Sequence, residues 1–366
     1  MIRQAVDALF DGINRLLDQA EQWLFRGKKA TYGLSVMRIC LGVAILGSLA
    51  ANAIDRHYVW GAGSRWLEPW VAADEFGFPL TTVFGETDSP AVFTAKYFLL
   101  IVVAALFTLG WRTRVVTPVL LVLVAGLLRL NPVATDAGDN IVRIMLLYLC
   151  FADVSAHWSL DARRRSRAGT VTPSRMPPWI GVLFHNVALA AVAAHIFVIY
   201  VTSGLSKVQG EMWQEGVGLY YPLRIGQYAP WPGLSELVYS SGIFVTIGSY
   251  VTVFVQVFFP LLLLRRGTRV VALLLIFAMH VSIAVTMALP WFSLAMLAGD
   301  AVFVRNDTYR ALARWLSRSR RTSAADPPAA DPATTEGGVA SEGGAPAPVE
   351  SPSPGATADV TPARPD

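Results

Sequence analysis

An all-α, polytopic membrane fold is what this sequence predicts, and three observations predict it. Apolar residues make up 54% of the 366 positions and charged residues only 15%, where soluble domains carry about a quarter charged. Several apolar stretches reach the ~20 residues that a helix needs to cross the hydrocarbon core. Basic residues gather in the gaps between those stretches, on alternate sides. The net charge of +4 therefore serves orientation. It forms no aromatic-interleaved patch of the kind that binds single-stranded nucleic acid.

Taken in order, residues 1–29 place Ile2, Val6, Leu9, Ile13, Leu16, Leu17 and Leu24 at helical spacing with polar residues between them, and Arg26, Lys28 and Lys29 follow. That pattern predicts an amphipathic helix lying in the membrane interface. It is not the continuous apolar run of a signal peptide, so insertion is expected to rest on the internal spans. Eight apolar segments come next within a transmembrane domain of residues 30–305: roughly 31–54, 91–110, 114–131, 140–159, 179–203, 242–264, 268–288 and a short one near 290–304. Alternating the sides puts twenty-one Lys and Arg on one face and five (Arg56, Arg65, Lys96, Lys207 and Arg224) on the other. The positive-inside rule then predicts that both termini are cytoplasmic. The short eighth span is needed, because without it the cluster from Arg305 to Arg321 would fall outside.

Residues 306–322 read as a basic cytoplasmic segment beside the membrane. Residues 323–366 turn to Pro, Ala, Gly, Ser, Thr and Glu with few apolar anchors, which predicts a disordered acidic tail. The preference for Ala, Arg and Gly over Lys and Ile points to a high-GC bacterium, hence to a bacterial plasma membrane.

Several chemistries find no foothold. Cys40 and Cys150 both fall inside spans and form no CxxC, which reads as two free thiols. No two histidines share the i,i+4 spacing of a metal face, and no HExxH or His/Cys cluster occurs, so no metal is expected. GxSxG, the P-loop and a strand-borne GxGxxG are all missing. No inverted pair of broken helices indicates a transporter.

Lys207 carries the sharpest signal. The chain has four lysines against twenty-six arginines, and Lys207 closes the fifth apolar segment in Tyr200-Val-Thr-Ser-Gly-Leu-Ser-Lys207. Lysine, unlike arginine, can lose its proton on desolvation and act as a base. Two readings stay open: that base, or a lysine snorkelling to the head groups and paired with Glu211 or Glu215. If the helix persists, Tyr200, Ser203 and Lys207 share one face, with His195 and Thr202 on a neighbouring stripe. His195 and His280, both near mid-span, are open to proton-relay or quinone-contact roles and to ordinary hydrogen-bonded burial.

Ionisable groups inside spans add a second signal, since each is costly unless paired or hydrated. Arg38 lies within the first span. Asp139 and Arg143 stand at i,i+4 at the start of the fourth, a spacing that suits an ion pair, with Asn131, Asp136 and Asn140 nearby. The expectation is a polar network of Arg38, Asp139, Asn140 and Arg143. It either ties helices together or floors a polar cavity open to the outer side. The loop at about 55–90 holds Trp60, Trp66 and Trp70, which read as an interfacial segment or an aromatic platform.

These residues resemble a known pattern. The run Tyr200 to Gly216, with Gly204, Lys207, Trp213, Glu215 and Gly216, looks like the lysine region of the vitamin K-dependent gamma-carboxylase. Arg38 with Gly42, Gly138-Asp139-Asn140 with Arg143, and Ser159-Leu160-Asp161 look like its bacterial relatives, the horizontally transferred transmembrane (HTTM) domain family. The resemblance spans about residues 30–305. It implies a membrane protein with an extracytoplasmic-facing polar site and quinol-dependent base chemistry of the carboxylase and epoxidase kind. Lys207 would be the catalytic base, and Tyr200, Ser203, His195, Glu215 and Trp213 would shape the site. A reduced menaquinone or vitamin K-type quinol would be the cofactor. The stretch from Lys207 to Trp213 is one residue longer than in the carboxylase. No segment here offers that enzyme's large peptide-binding domain, which separates the expected chemistry from protein glutamate as substrate. The alternative is a non-enzymatic accessory protein for a secreted peptide or membrane partner, as in the family members linked to toxin maturation. It predicts tolerance at Lys207 and sensitivity at Trp60, Trp66 and Trp70.

Overall fold

The computed structural model describes residues 2–61, 83–85, 88–169 and 177–323, and among them no strand occurs. Fourteen α-helices follow in order. They are α1 (Ile2–Phe25), α2 (Thr31–Ala51), α3 (Arg56–Val59), α4 (Pro90–Leu109), α5 (Thr113–Leu130), α6 (Ala137–Leu149) and α7 (Leu160–Ala168). Then come α8 (Pro178–Val208), α9 (Glu211–Gln214), α10 (Pro232–Tyr239), α11 (Gly242–Leu262), α12 (Arg266–Thr286), α13 (Pro290–Asp300) and α14 (Asn306–Ser323). The chain divides into two units, Met1–Trp315 and Leu316–Asp366. Trp66, Trp70, Arg65 and the expected tail at 323–366, apart from Ser323 at the end of α14, lie outside the described residues, as do all but residues 83–85 of the loop between 62 and 87.

Among the described residues, six helices are long and apolar enough to cross a membrane: α2, α4, α5, α8, α11 and α12. The chain is a multi-pass integral membrane protein. Two of the eight expected spans are not among these six. The eighth, expected to be short, is an apolar helix of Pro290–Phe303. The fourth, expected over 140–159, stops as α6 at Leu149 after 13 residues, or ~20 Å of helix. The hydrophobic run continues past that point, but local side chains claim the backbone. Asp153 Oδ1 accepts from Ser155 N and Oγ, and Ser159 Oγ accepts from Ala162 N to cap α7. The fifth span is longer than expected. With 31 residues and ~46 Å of length, α8 extends beyond a ~30 Å hydrocarbon core and carries Lys207 in its last turn.

Helices this uniformly apolar are defined by their ends. Pro90 and Pro290 open α4 and α13 in the first turn, where the missing N–H costs nothing. Helix α4 closes on Gly110, left-handed at φ 70°. Trp111 N bonds Leu106 O and Gly110 N bonds Phe107 O, the paired bonds of a Schellman stop. A side chain at Gly110 would also collide with Ser159 and the Arg38 guanidinium.

At the centre, α2 packs on α4 and α13, and α8 on α11. Small residues allow the approach, as in other membrane bundles. A Cβ at Gly33 would sit 2.6 Å from Ala301 O, and one at Gly204 2.7 Å from Val257. Leu34, Met37, Leu41 and Ile45 of α2 meet Tyr97, Leu100 and Phe107 of α4 in one buried core. Leu274, Phe277, Ile243 and Phe244 stay exposed, as lipid-facing side chains do.

Candidate functional site

Because the helices alternate in direction, the bundle has two ends. One gathers Lys28, Lys29, Arg112 and Arg163 to Arg165; the other carries Asn52, Asp136 and Lys207. At the basic end, Arg38 is fully buried and each of its three nitrogens donates to a backbone carbonyl. Nε bonds Val154 O at 3.1 Å, Nη2 bonds Trp158 O at 2.7 Å, and Nη1 bonds Phe107 O at 3.0 Å and also Thr108 O. Phe107 and Thr108 lie in the last turn of α4, whose carbonyls have no i+4 partner within the helix and carry the negative end of the dipole. Beside it, the carboxylate of Asp161 accepts from Arg112 N and Thr113 N at 2.9 and 3.0 Å, capping α5 from a distant segment.

The same end pins α8. Asn186 Nδ2 donates to Leu24 O at 2.8 Å, and Asn186 Oδ1 accepts from Lys29 N at 3.0 Å. His185 Nδ1 accepts from Asp153 N while Nε2 donates to Lys29 O, which fixes a neutral ring with its proton on Nε2. Lys28 Nζ meets Asp153 Oδ2 at 2.6 Å. Burial works to raise the Asp153 carboxyl, yet the Lys28 bond and the charges of Lys28 and Arg165 hold it below the ordinary range.

At the other end of α8, Lys207 Nζ bonds Ser203 Oγ at 2.7 Å and Ser203 O at 3.3 Å. It stands 5.3 Å from the centre of the Trp213 ring. Among the described residues no carboxylate lies within ion-pair distance of it: Glu211 and Glu215 are exposed, and only their backbones are engaged. Leu205, Val208 and Met212, all exposed, surround this helix exit with apolar surface.

Tyr200, two turns earlier (~10 Å along the axis), points into the bundle. Its hydroxyl donates to Asp300 Oδ2 at 2.8 Å and lies 3.1 Å from His280 Nε2. A hydroxyl whose one proton goes to Asp300 can only accept from His280, which places the imidazole proton on Nε2. Tyr200, His280 and Asp300 are all buried, with Phe259 and Phe292 packed around them. The three can hold and pass a proton. His195 takes no part: it stacks edge-on to Tyr148 with ring centres 5.9 Å apart.

A cavity of about 390 Å³ opens between α2, α5, α6 and α13 at this same end. Asp136 and Asp139 line its mouth and form a reciprocal cap on α6. Asp139 N donates to Asp136 Oδ1 at 2.8 Å, and Asp136 N donates to Asp139 Oδ2 at 3.1 Å. That turn draws Asp139 away from Arg143, which bonds Asn140 Oδ1 at 2.6 Å instead. Asn140, Arg143 and Asp139 thus share one helix start without the i,i+4 ion pair. Arg38 is not with them: it sits fourteen residues before Asn52 on α2, ~21 Å along the axis.

The family model of the HTTM domain matches residues 27–308, which is more than half of the chain and takes in every residue just described except Leu24. The chain belongs to the HTTM domain family. No curated protein and no solved structure matches it.

Within the HTTM domain, then, the expected site residues separate into clusters. Lys207, Ser203 and Trp213 come together; Glu215 is next to them in sequence but turns outward. Tyr200 belongs to a buried triad whose other members, His280 and Asp300, the spacing on α8 does not reveal. Asp300 does carry a signal of its own: it is a lone carboxyl in an apolar segment, the same mark that singles out Arg38. Trp60, expected in the interface, is instead buried against Tyr97 at a ring distance of 6.1 Å. No group of three or more His, Cys, Asp or Glu with metal-holding geometry occurs among the described residues.

Proposed function

We propose that this HTTM protein is a membrane-embedded enzyme in which Lys207 takes a proton from an acidic hydroxyl of an amphiphilic quinol, in a bacterial plasma membrane with the Lys207 end outward. One observation carries the reading: Lys207 has a serine and an indole face as partners and, among the described residues, no carboxylate. A carboxylate partner would hold the ammonium charged, whereas Ser203 Oγ can hydrogen-bond either form of the amine. Trp213 offers an aromatic wall, and the exposed Leu205, Val208 and Met212 offer an apolar approach from the bilayer. These residues suit a ring-bearing lipid of menaquinol type, which when bound would supply the reducing, oxygen-reactive chemistry. Ser203 would position the Lys207 amine at the last turn of α8, and Tyr200 would anchor that helix through Asp300.

The test is oxygen-dependent conversion of reduced naphthoquinone by the protein in lipid nanodiscs, with products read by mass spectrometry. General-base assistance is worth about 10²–10⁴-fold, so Lys207→Ala is expected to lose at least two orders of magnitude. Lys207→Arg is expected to fail equally, because arginine keeps its proton at any usable pH. Full activity in the arginine variant would overturn the base assignment. Equal background from wild type and both variants, each shown folded, would move the assignment to a non-enzymatic accessory protein for a secreted peptide or membrane partner.

A further inference from the structure

The cavity between α2, α5, α6 and α13 is a different place from the Lys207 cluster: neither Lys207, Ser203, Trp213 nor Tyr200 lines it. Its volume of about 390 Å³ falls in the range of small-molecule sites, roughly 300–1,000 Å³. The lining is sorted by depth. Ala44, Ile45, Leu127 and Val142 make an apolar interior, and from Asn52 to Ala44 the wall runs two turns down α2, ~12 Å. The mouth carries Asp136 and Asp139 with the indoles of Trp60 and Trp291, and among the described residues no lysine or arginine lines any part of it.

Two features of that mouth point to a ligand. The helix-capping bonds use one oxygen of each carboxylate, Asp136 Oδ1 and Asp139 Oδ2. The second oxygens keep their lone pairs for another donor. Independently, Trp60 is only 6% exposed, and its indole N–H is buried with no acceptor. Buried indole N–H groups ordinarily find a partner. Carboxylates beside aromatic faces recognise a cation, and a free N–H recognises an acceptor on the same molecule.

We infer that this cavity binds the head of an amphiphile carrying a primary ammonium next to a hydrogen-bond acceptor. The ammonium sits at Asp136 and Asp139, the acceptor on the Trp60 N–H, and the apolar part against Ile45 and Leu127. An aminophospholipid head supplies that chemistry, and so does a free lipophilic amine. The inference stands apart from the role of Lys207.

The experiment titrates the purified full-length protein in detergent with octylamine, octanol and octanoate by calorimetry, and measures lipid retention by native mass spectrometry. Octylamine is expected to bind saturably, one per chain and at least tenfold tighter than octanol, with octanoate not binding. The double variant Asp136→Asn, Asp139→Asn is expected to lose that preference at least tenfold. Asparagine caps a helix as well as aspartate, so α6 should survive the change. If the double variant does not fold, Ala44→Leu, which narrows the cavity from its wall, must lower octylamine binding by a similar factor. Retention of phosphatidylethanolamine over phosphatidylglycerol, lost in the variants, assigns the lipid head as the source. Octylamine binding without that retention assigns a free amine. Trp60→Phe, which keeps the ring and removes the N–H, should weaken phosphatidylethanolamine retention more than octylamine binding. Equal affinity for octanol and octylamine, or octylamine binding unchanged in both cavity variants, would overturn the inference.

Discussion

Arg38→Met is expected to leave no monodisperse protein after detergent extraction, as read by size-exclusion chromatography of a fluorescent fusion. Methionine fills much of the arginine's volume, so the loss is one of hydrogen bonds. Three carbonyls, those of Thr108, Val154 and Trp158, would lose their donor, while that of Phe107 keeps its bond from Gly110 N. A buried polar group left unpaired costs about 1–3 kcal/mol, and three of them rival the ~5–15 kcal/mol that holds a typical fold. Arg38→Lys should recover part of the yield, because an ammonium has three donors but no fork wide enough to serve α4 and the 154–158 segment together. Wild-type yield from the methionine variant would show that the carbonyls find other donors.

Asp161→Ala should follow with a smaller but measurable loss. The carboxylate holds the first N–H groups of α5, on Arg112 and Thr113, where Arg112 is left-handed at φ 43° and has no cap from its own side chain. Thr113 is buried, so its N–H would carry most of the penalty, again about 1–3 kcal/mol. A fall in Tm on the order of 5 °C is expected in a thermal-unfolding assay. Asp161→Asn, which keeps one acceptor oxygen, should lie between the alanine variant and wild type. An unchanged Tm in Asp161→Ala would mean that the start of α5 is held by packing alone.

Much of this architecture is legible in the amino-acid order, and the exceptions have physical causes. Hydropathy and length pick out the six long helices, because a spanning helix must be apolar over nearly its whole length. The end of α6 is not legible that way: Cys150 and Phe151 prolong the apolar run, while Asp153, Ser155 and Ser159 stop the helix through bonds to nearby backbone. Lys207 stands out by composition, and its partners Ser203 and Trp213 are four and six residues away, within reach of spacing rules. Arg38 is conspicuous too, but its partners are carbonyls, which every residue possesses. Tyr200 and Asp300 illustrate the remaining gap: their bond joins residues a hundred positions apart, a separation that helical periodicity does not address.

The Arg38 node also governs timing. Its acceptors at Val154 and Trp158 are 116 and 120 residues further along the chain, an interval of roughly 6–24 s at translation rates of about 5–20 residues per second. For the first part of that interval the first span carries a charge that only water near the bilayer surface can serve, and once Phe107 and Thr108 follow, 69 and 70 residues on, only the end of α4 joins in receiving it. The N-terminal helices therefore cannot mature by themselves. Their final depth is set only when the segment after α6 emerges, so biogenesis of this protein passes through a stage in which its first span is still waiting for its lock.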